Sequence, residues 1–329
     1  MNVSKPTTAV IAGAGFSVTA GLPLTGELFA AEPYVGSDGA HRRTLRVLEA
    51  WGHWHAEHLD EGPEQYLSAV HAGQVSHVSW PEAVEFVAAV LATPRGEDWP
   101  STRDPRYEGR VTAPVRSRAH VEFWATVLEH FDLRSVTTTN YDLLIERGLR
   151  IRPMMRPPRP GIHYGGIPRP QELTGTAQPF SVYKPDRYVA LEGRTPLYKL
   201  HGSLNWSFEK GRLAMYQDAR PAFRGGGTAA IIPPLTEKVI PEWLRQVWDE
   251  CEASLFSCST WIVVGYSLPP YDIALSQLFH RAGVHVRKVL LLDPFATGAI
   301  ESRWKIAAPG AQVVCLPGLP DSISLLPSA

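Results

Sequence analysis

Short apolar runs that end in small or polar residues recur along the chain, and this pattern is typical of β-strands. The six clearest runs cover residues 7–15, 133–142, 195–203, 258–267, 287–294 and 311–317, with a weaker one at 228–234. Several of these runs are apolar at consecutive positions, so both faces of the strand would be buried. We therefore expect parallel strands with helices packed on each side.

Helical patterns lie before and after the predicted strand at 258–267. The segment 241–256 repeats apolar residues at helical spacing, and Pro241 suits a first helical turn. The segment 271–283 has Asp272 near its start and Gly283 at its end. Alternating strands and helices predict an α/β fold, here a doubly wound, Rossmann-like parallel sheet.

Two regions interrupt the alternation. Residues 31–130 have mainly helical patterns, so we expect an inserted helical subdomain there, with 1–30 and 131–329 forming the Rossmann-like domain. Residues 150–195 begin with too much proline for a helix or a central strand, which predicts a long excursion. Six arginines and no acid lie between 147 and 170. The excursion is either a solvated linker or a lid over an anionic ligand.

Composition narrows the possible partners of the protein. The 329 residues are 44% hydrophobic and 20% charged, as in an ordinary globular protein. A formal net charge of −1 argues against a general nucleic-acid-binding surface. No run reaches the roughly 18 apolar residues of a membrane span, and the N-terminus lacks a signal-peptide pattern. We therefore expect no membrane and no nucleic-acid partner.

Cysteine and histidine usage bears on metals and on the cellular compartment. The three cysteines contain no C-x-x-C pair, which predicts a reduced, cytoplasmic protein without structural zinc. The run "HWHAEH" offers His53, His55, Glu57 and His58 as a possible metal cluster. A polar helix face is the favoured interpretation because no further ligand pair is evident. We expect no metal cofactor.

The first strand runs directly into Gly13-Ala14-Gly15-Phe16-Ser17. In a strand–turn–helix unit, glycines let the backbone approach a pyrophosphate, whose charge is met by N–H groups at the start of the helix. The spacing departs from G-x-G-x-x-G because the next glycine is Gly21. The segment either binds a phosphate or makes a tight turn.

Polar and small residues also follow the other strands. Because ligands of open α/β sheets bind at the carboxyl ends of the strands, we treat these residues as candidates: Thr139, Asn140, Asp142, His201, Gly265, Ser267 and Asp293. Structural alternatives remain open for three of them. Asn140 could make a turn and Asp142 could cap a helix, and His201 could be a structural histidine. An acid at position 293 could bond ribose hydroxyls.

The order of these motifs resembles the sirtuin-like NAD-binding family. Gly-Ala-Gly, Thr-x-Asn-x-Asp, Leu-His-Gly and Gly-x-Ser-Leu follow one another, and the resemblance covers about 7–30, 133–149 and 195–317. It implies NAD as the bound substrate. Asn140 would hold ribose hydroxyls or the attacking water, His201 would be the catalytic base, and Asp142 would orient the nicotinamide carboxamide.

The resemblance also assigns the rest of the dinucleotide. Residues 13–17 would hold the diphosphate, and Gly265 and Ser267 would line its phosphate or adenosine side. Asp293 would bond the adenosine ribose. Thr139, at the same strand end as Asn140 and Asp142, is the remaining candidate for binding the cofactor.

Departures from the deacylating sirtuins are equally specific. Those enzymes carry Ala-Gly-Ile-Pro-Asp-Phe-Arg and four zinc cysteines, whereas residues 20–28 read "AGLPLTGEL" and no suitable cysteines occur. The segments 199–206, 231–238 and 265–272 are similar instead to a bacterial zinc-free branch whose members hydrolyse NAD, often in anti-phage defence. The resemblance thus implies an NAD glycohydrolase. Because uncontrolled NAD hydrolysis would harm its own cell, an active enzyme implies gating by homo-oligomerisation, by a regulatory protein partner or by a ligand. Alternatives are an NAD-dependent protein deacylase and a nucleotide-binding sensor with little turnover.

Overall fold

A computed structural model describes residues 5–31, 38–92, 115–150, 162–167, 195–209, 212–215, 228–296 and 298–326. Most of the predicted excursion at 150–195 therefore lies outside the described residues, and so does its interpretation as a lid. Within these ranges, no helix is both long enough and apolar enough to cross a bilayer.

In the last third of the chain, from residue 242 onward, helices and strands alternate, as the apolar pattern predicts there. The strands are β1 (Thr7–Ala12), β2 (Asp132–Thr138), β3 (Ile162–Tyr164), β4 (Thr195–Lys199), β5 (Gly202–Glu209), β6 (Arg212–Met215), β7 (Thr228–Ile231), β8 (Thr260–Val264), β9 (Lys288–Leu292) and β10 (Gln312–Leu316). The α-helices are α1 (Ala14–Val18), α2 (Asp38–Glu57), α3 (Pro63–His71), α4 (Trp80–Ala92), α5 (Val115–His130), α6 (Leu144–Arg150), α7 (Glu242–Phe256), α8 (Ile273–Ala282) and α9 (Gly298–Ala307).

Seven strands form a parallel sheet in the order β10-β9-β8-β1-β2-β4-β3. The predicted α/β class with a doubly wound parallel sheet is confirmed. Strands β2 to β4 lie on one side of β1, and β8 to β10 lie on the other. The strand order therefore reverses between β1 and β8, which is where open sheets of this kind form a ligand crevice.

The central strands are buried because helices cover the sheet. All five residues of β8 and the last five of β1 are buried. Helix α7 packs against β2, β4 and α8. Its inward side presents Leu244, Val247, Cys251 and Leu255, spaced three or four residues apart.

One predicted strand is wrong in its extent. The run 195–203 is two strands: β4 ends at Lys199, and β5 begins at Gly202 in a separate three-stranded antiparallel sheet of order β6-β5-β7. Gly202 has φ +82°, and a Cβ there would lie 2.0 Å from the Ala230 carbonyl oxygen. Only glycine fits this left-handed, closely packed position, so the chain leaves the main sheet directly after His201.

Two hydrophobic clusters lie side by side. The larger follows the parallel sheet and includes Phe123 and Trp124 of α5. The smaller joins α2, α3 and α4 to Leu204 of β5 and Ile231 of β7. The division into a domain formed by 1–30 and 131–329 and a subdomain at 31–130 stays a prediction.

Candidate functional site

A cavity of about 560 Å³ opens at the carboxyl ends of β1, β2, β8 and β9. Its size falls within the roughly 300–1,000 Å³ typical of small-molecule sites. Most of the predicted site residues line it: Ala14, Gly15, Ser17, Thr139, Asn140, Asp142, His201, Gly265, Ser267 and Asp293. Gly13 and Phe16 are not among its lining residues. The fold thus brings the ends of distant strands together at the reversal point of the sheet.

The turn between β1 and α1 lies against the end of β8. The amide of Gly13 donates to the Val264 carbonyl (3.0 Å), and the amide of Gly15 donates to the Gly265 carbonyl (2.9 Å). A Cβ on Gly15 would lie 2.7 Å from Gly265 Cα. The tight-turn interpretation is therefore observed here. Phosphate binding by 13–17 stays a prediction, with the amides of Gly13, Gly15 and Phe16 already bonded to carbonyl oxygens.

Phe16 packs inward rather than toward the cavity. Its ring is fully buried and lies edge-on to His120 and Phe123, at centroid distances of 4.5 and 5.7 Å. The Phe16 carbonyl oxygen also lies 2.7 Å from His120 Nε2. Its side chain therefore anchors α1 to α5, and a ligand contact from Phe16 would have to come from its backbone.

A chain of hydrogen bonds connects three of the predicted polar residues. Asn140 Nδ2 donates to the Gly13 carbonyl (2.7 Å) and to Ser17 Oγ (2.9 Å). Ser17 Oγ in turn donates to Asp142 Oδ2 (2.7 Å). All three side chains are buried. Because both hydrogens of the Asn140 amide have acceptors, the orientation of this side chain is fixed, and its oxygen is the atom it can offer to a ligand.

Asp142 lines the cavity and also has structural partners on α6 and β4, besides Ser17. Its Oδ1 accepts the Leu144 amide at the start of α6 (2.9 Å), as a helix-capping carboxylate does, and its backbone carbonyl accepts Lys199 Nζ. The capping interpretation is thus observed. Its predicted role at the nicotinamide carboxamide stays a prediction, because both carboxylate oxygens already accept a hydrogen bond.

His201 is the most informative side chain of the cavity. It follows β4, is 4% exposed, and its Nε2 has no hydrogen-bond partner among the residues that the structure describes. Burial lowers the pKa of His201 well below 6.5, and the charge of Lys238 lowers this pKa further. A hydrogen bond with the Thr139 backbone acts in the opposite direction. The ring is therefore neutral at pH 7 and keeps a lone pair that nothing in the described protein uses.

An unpartnered buried polar atom is unfavourable, at about 1–3 kcal/mol. Such an atom in a natural fold requires an explanation, and a ligand or water in the cavity supplies one. What distinguishes His201 from His120 and Trp124, each of which also has an unpartnered buried atom among the described residues, is that it lines the cavity.

Sequence reasoning missed an ion pair in the cavity wall. Lys238 Nζ lies 2.9 Å from Asp272 Oδ2, and both side chains are largely buried. Asp272 precedes α8 as predicted, but its carboxylate makes no side-chain cap of that helix. The two residues lie within segments that carry the family resemblance, yet only the fold shows that they meet.

The opposite end of the cavity includes Leu292, Pro294 and Phe295. Asp293 directly follows β9, and its Oδ1 accepts the Phe295 amide (2.8 Å). Phe295 lines the cavity although 74% of its surface is exposed. Sequence reasoning missed Phe295 because nothing in its local sequence distinguishes it from an ordinary loop residue.

Gly265 has φ +59°, which lets β8 end beside the turn that follows β1.

The "HWHAEH" run forms a stacked surface. His55 stacks on Trp51 and His58 on Trp54, with ring centroids 4.7 and 4.5 Å apart and planes nearly parallel. Across the described ranges, no group of three or more His, Cys, Asp or Glu side chains could hold a metal ion.

No protein-family model matches the chain, and no curated protein matches it. Its backbone is similar to solved structures of Sir2 enzymes at low identity. One Sir2 enzyme gives a TM-score of 0.47 at 16% identity, covering 98% of this chain and 91% of that chain. A Sir2 homologue in complex with NAD gives 0.45 at 14% identity, covering 99% and 88%. The fold class therefore rests on the strand order and pairing described above.

Proposed function

We propose that this chain is a sirtuin-like NAD⁺ hydrolase that cleaves the bond between nicotinamide and ribose, releasing nicotinamide and ADP-ribose. The observation that carries the proposal is the neutral, buried His201, whose unpartnered Nε2 belongs to the same cavity as the Ser17–Asn140–Asp142 chain. An acceptor lone pair beside an ordered amide, at the reversal point of a doubly wound sheet, suits the removal of a proton from a hydroxyl or water.

The reaction needs few groups from the protein. Water adds to the anomeric carbon as the bond to the nicotinamide nitrogen breaks, so one proton must leave the water oxygen. His201 Nε2 would accept that proton, directly or after deprotonating a ribose hydroxyl. Asn140 would offer its side-chain oxygen to the water or to a ribose hydroxyl, because its NH₂ group is held by Gly13 and Ser17.

The remaining contacts follow from the two ends of the cavity. We propose that the diphosphate lies near 13–17, with Gly265 and Ser267 along the phosphate or adenosine side. Asp293 would accept a hydrogen bond from the adenosine ribose, and Phe295 would offer its exposed ring to the base. Asp142 would contact the carboxamide while it retains its bonds to Ser17 and Leu144.

We further propose that the activity is gated. A cytoplasmic enzyme that consumed NAD⁺ without control would deplete its own cell, so homo-oligomerisation or a regulatory protein partner would have to switch it on. This is the behaviour expected of a bacterial defence effector. Measuring NAD⁺ loss over a wide range of protein concentration tests self-assembly as the trigger, since activity per chain rises with concentration only if assembly activates.

The decisive experiment is incubation of the purified protein with NAD⁺, followed by chromatography of nicotinamide and ADP-ribose. Parallel samples contain an acyl-lysine peptide. We expect NAD⁺ loss and ADP-ribose without peptide. If loss requires the peptide and yields O-acyl-ADP-ribose, the protein is a deacylase instead. If every assembly state binds NAD⁺ and none consumes it, the protein is a nucleotide sensor.

A further inference from the structure

Lys199 is a lysine without any solvent exposure. It is the last residue of β4 and its side chain is fully buried, although it is not among the residues that line the cavity. Lysine is almost never fully buried unless it is paired. The proposed mechanism gives the Lys199 ammonium no role. Its hydrogen bonds and its ion pair therefore have to indicate its function.

On one side, Lys199 faces a buried acid. Its Nζ lies 3.4 Å from Oε1 of Glu146 on α6, and the same oxygen accepts the hydroxyl of Tyr164 on β3 (2.8 Å). Asn205 of β5 donates its Nδ2 to the Tyr164 oxygen (3.1 Å). All four side chains are buried. The ammonium is thus compensated and held in place by three other elements of the fold.

On the other side, Lys199 holds the loop that carries the site. Its Nζ donates to the backbone carbonyl of Asp142. Asp142 lies two residues after Asn140, and its carboxylate bonds Ser17 in the cavity wall. The loop from 139 to 143 is therefore tied at the cavity by Asn140 and Asp142 and behind it by Lys199.

Stability alone does not account for this arrangement. A buried ion pair is often replaced by apolar side chains of similar volume with no loss of stability. Here one of the hydrogen bonds of the ammonium goes to a single carbonyl in the site loop. The geometry points to a function for that bond.

We propose that Lys199 is a positioning residue: by holding the Asp142 carbonyl from behind the cavity, it fixes the loop that presents Asn140 to the substrate. This inference rests on the proposed function of the site. Glu146 and Tyr164 act one step further away, since they keep the ammonium in place. The loop between β2 and α6 then depends on β3, the strand at the far edge of the sheet.

The test replaces the buried pair as a unit. Lys199→Met alone would leave Glu146 as an uncompensated buried charge and would destabilise the fold. The double variant Lys199→Met/Glu146→Gln keeps the volume, and Tyr164 can still donate to the new amide. We expect ADP-ribose to bind with a Kd within twofold of wild type. We expect kcat for NAD⁺ to fall about 10- to 100-fold, because small misplacements of catalytic groups have effects of that size.

A matched control removes an ion pair elsewhere. Arg281 and Glu252 form an exposed pair between α8 and α7, so Arg281→Met/Glu252→Gln should leave kcat unchanged. Tyr164→Phe is a milder second variant that removes only a hydroxyl. It should lower kcat a fewfold with KM unchanged. Should the double variant fail to fold, Tyr164→Phe decides, and a wild-type kcat in that variant overturns the inference.

Hydrogen–deuterium exchange gives a readout that does not need turnover. Amides at 139–144 should exchange faster in the double variant, while those at 13–18 keep their wild-type rates. Wild-type kcat in the folded double variant overturns the inference. So does a loss of ADP-ribose binding in proportion to the loss of kcat, which indicates a merely structural role. If the wild-type protein never hydrolyses NAD⁺, the proposed function fails. The exchange experiment then tests Lys199 separately: unchanged exchange at 139–144 in the double variant shows that Lys199 does not position this loop.

Discussion

Gly265→Ala tests the contact between the first strand's turn and the end of β8. Gly265 has φ +59°, and a Cβ there would lie 2.4 Å from the Gly15 carbonyl carbon and from the Phe16 nitrogen. These neighbours are backbone atoms, so no side-chain rotation relieves the clash. Placing a side chain in the left-handed region costs about 1–2 kcal/mol, and overpacking adds roughly 1–3 kcal/mol.

We therefore expect Gly265→Ala to lower the free energy of unfolding by about 2–5 kcal/mol. Urea unfolding followed by circular dichroism measures it. Gly26→Ala is the matched control, because Gly26 also lines the cavity and a Cβ there meets nothing within 4 Å. Equal stability of Gly265→Ala and wild type would refute the close-packing explanation. It would also restore the simpler idea that the glycines serve only to leave room for a phosphate.

Three further outcomes follow from the site. Asn140→Ala and His201→Ala should each reduce NAD⁺ hydrolysis by about 10² to 10⁴ without unfolding the protein, and wild-type rates in both would place the chemistry elsewhere. Because the pKa of His201 is lowered on folding, the unfolded chain takes up the proton first as pH falls below 6.5. Stability should then decline by up to about 1.4 kcal/mol per pH unit, and a His201→Gln variant with the same pH dependence would contradict this. In Lys238→Met, the acid limb of the kcat/KM profile should move to higher pH, because the charge of Lys238 lowers the pKa of His201. An acid limb at the wild-type pH would count against His201 as the base.

The central sheet could be predicted because its strands are continuous apolar runs. Of the second sheet, only β7 could be predicted, as the weaker run at 228–234. Strand β5 carries Ser203, Asn205 and Ser207, and all three are buried. Polar residues that follow a glycine are typical of a loop. Their strand conformation becomes evident only from the pairing of β5 with β6 and β7.

The candidate site was predictable as a set of strand ends but not as a set of contacts. The rule that ligands bind at the carboxyl ends of parallel strands places Asn140, His201 and Asp293 at one edge without knowledge of the strand order. The close approach of Gly15 to Gly265 depends on β1 lying next to β8, which are some 250 positions apart in the sequence. The Lys199–Asp142 bond depends likewise on the neighbouring positions of β2 and β4.

The cavity draws its wall from both hydrophobic clusters. Leu28 and Leu91 belong to or pack against the smaller cluster, whereas Val264, Leu292 and Ile300 belong to the larger one. If a dinucleotide binds in this cavity as proposed, it would stabilise the folded protein by about 2.7 kcal/mol at a ligand concentration 100 times Kd. The two clusters also share elements: β5 contributes Leu204 to the smaller and Trp206 to the larger, and β7 contributes Ile231 to the smaller and Ala230 to the larger. Calorimetry should then show one melting transition that moves to higher temperature with saturating ADP-ribose, because the ligand would add a third link between two clusters that β5 and β7 already join.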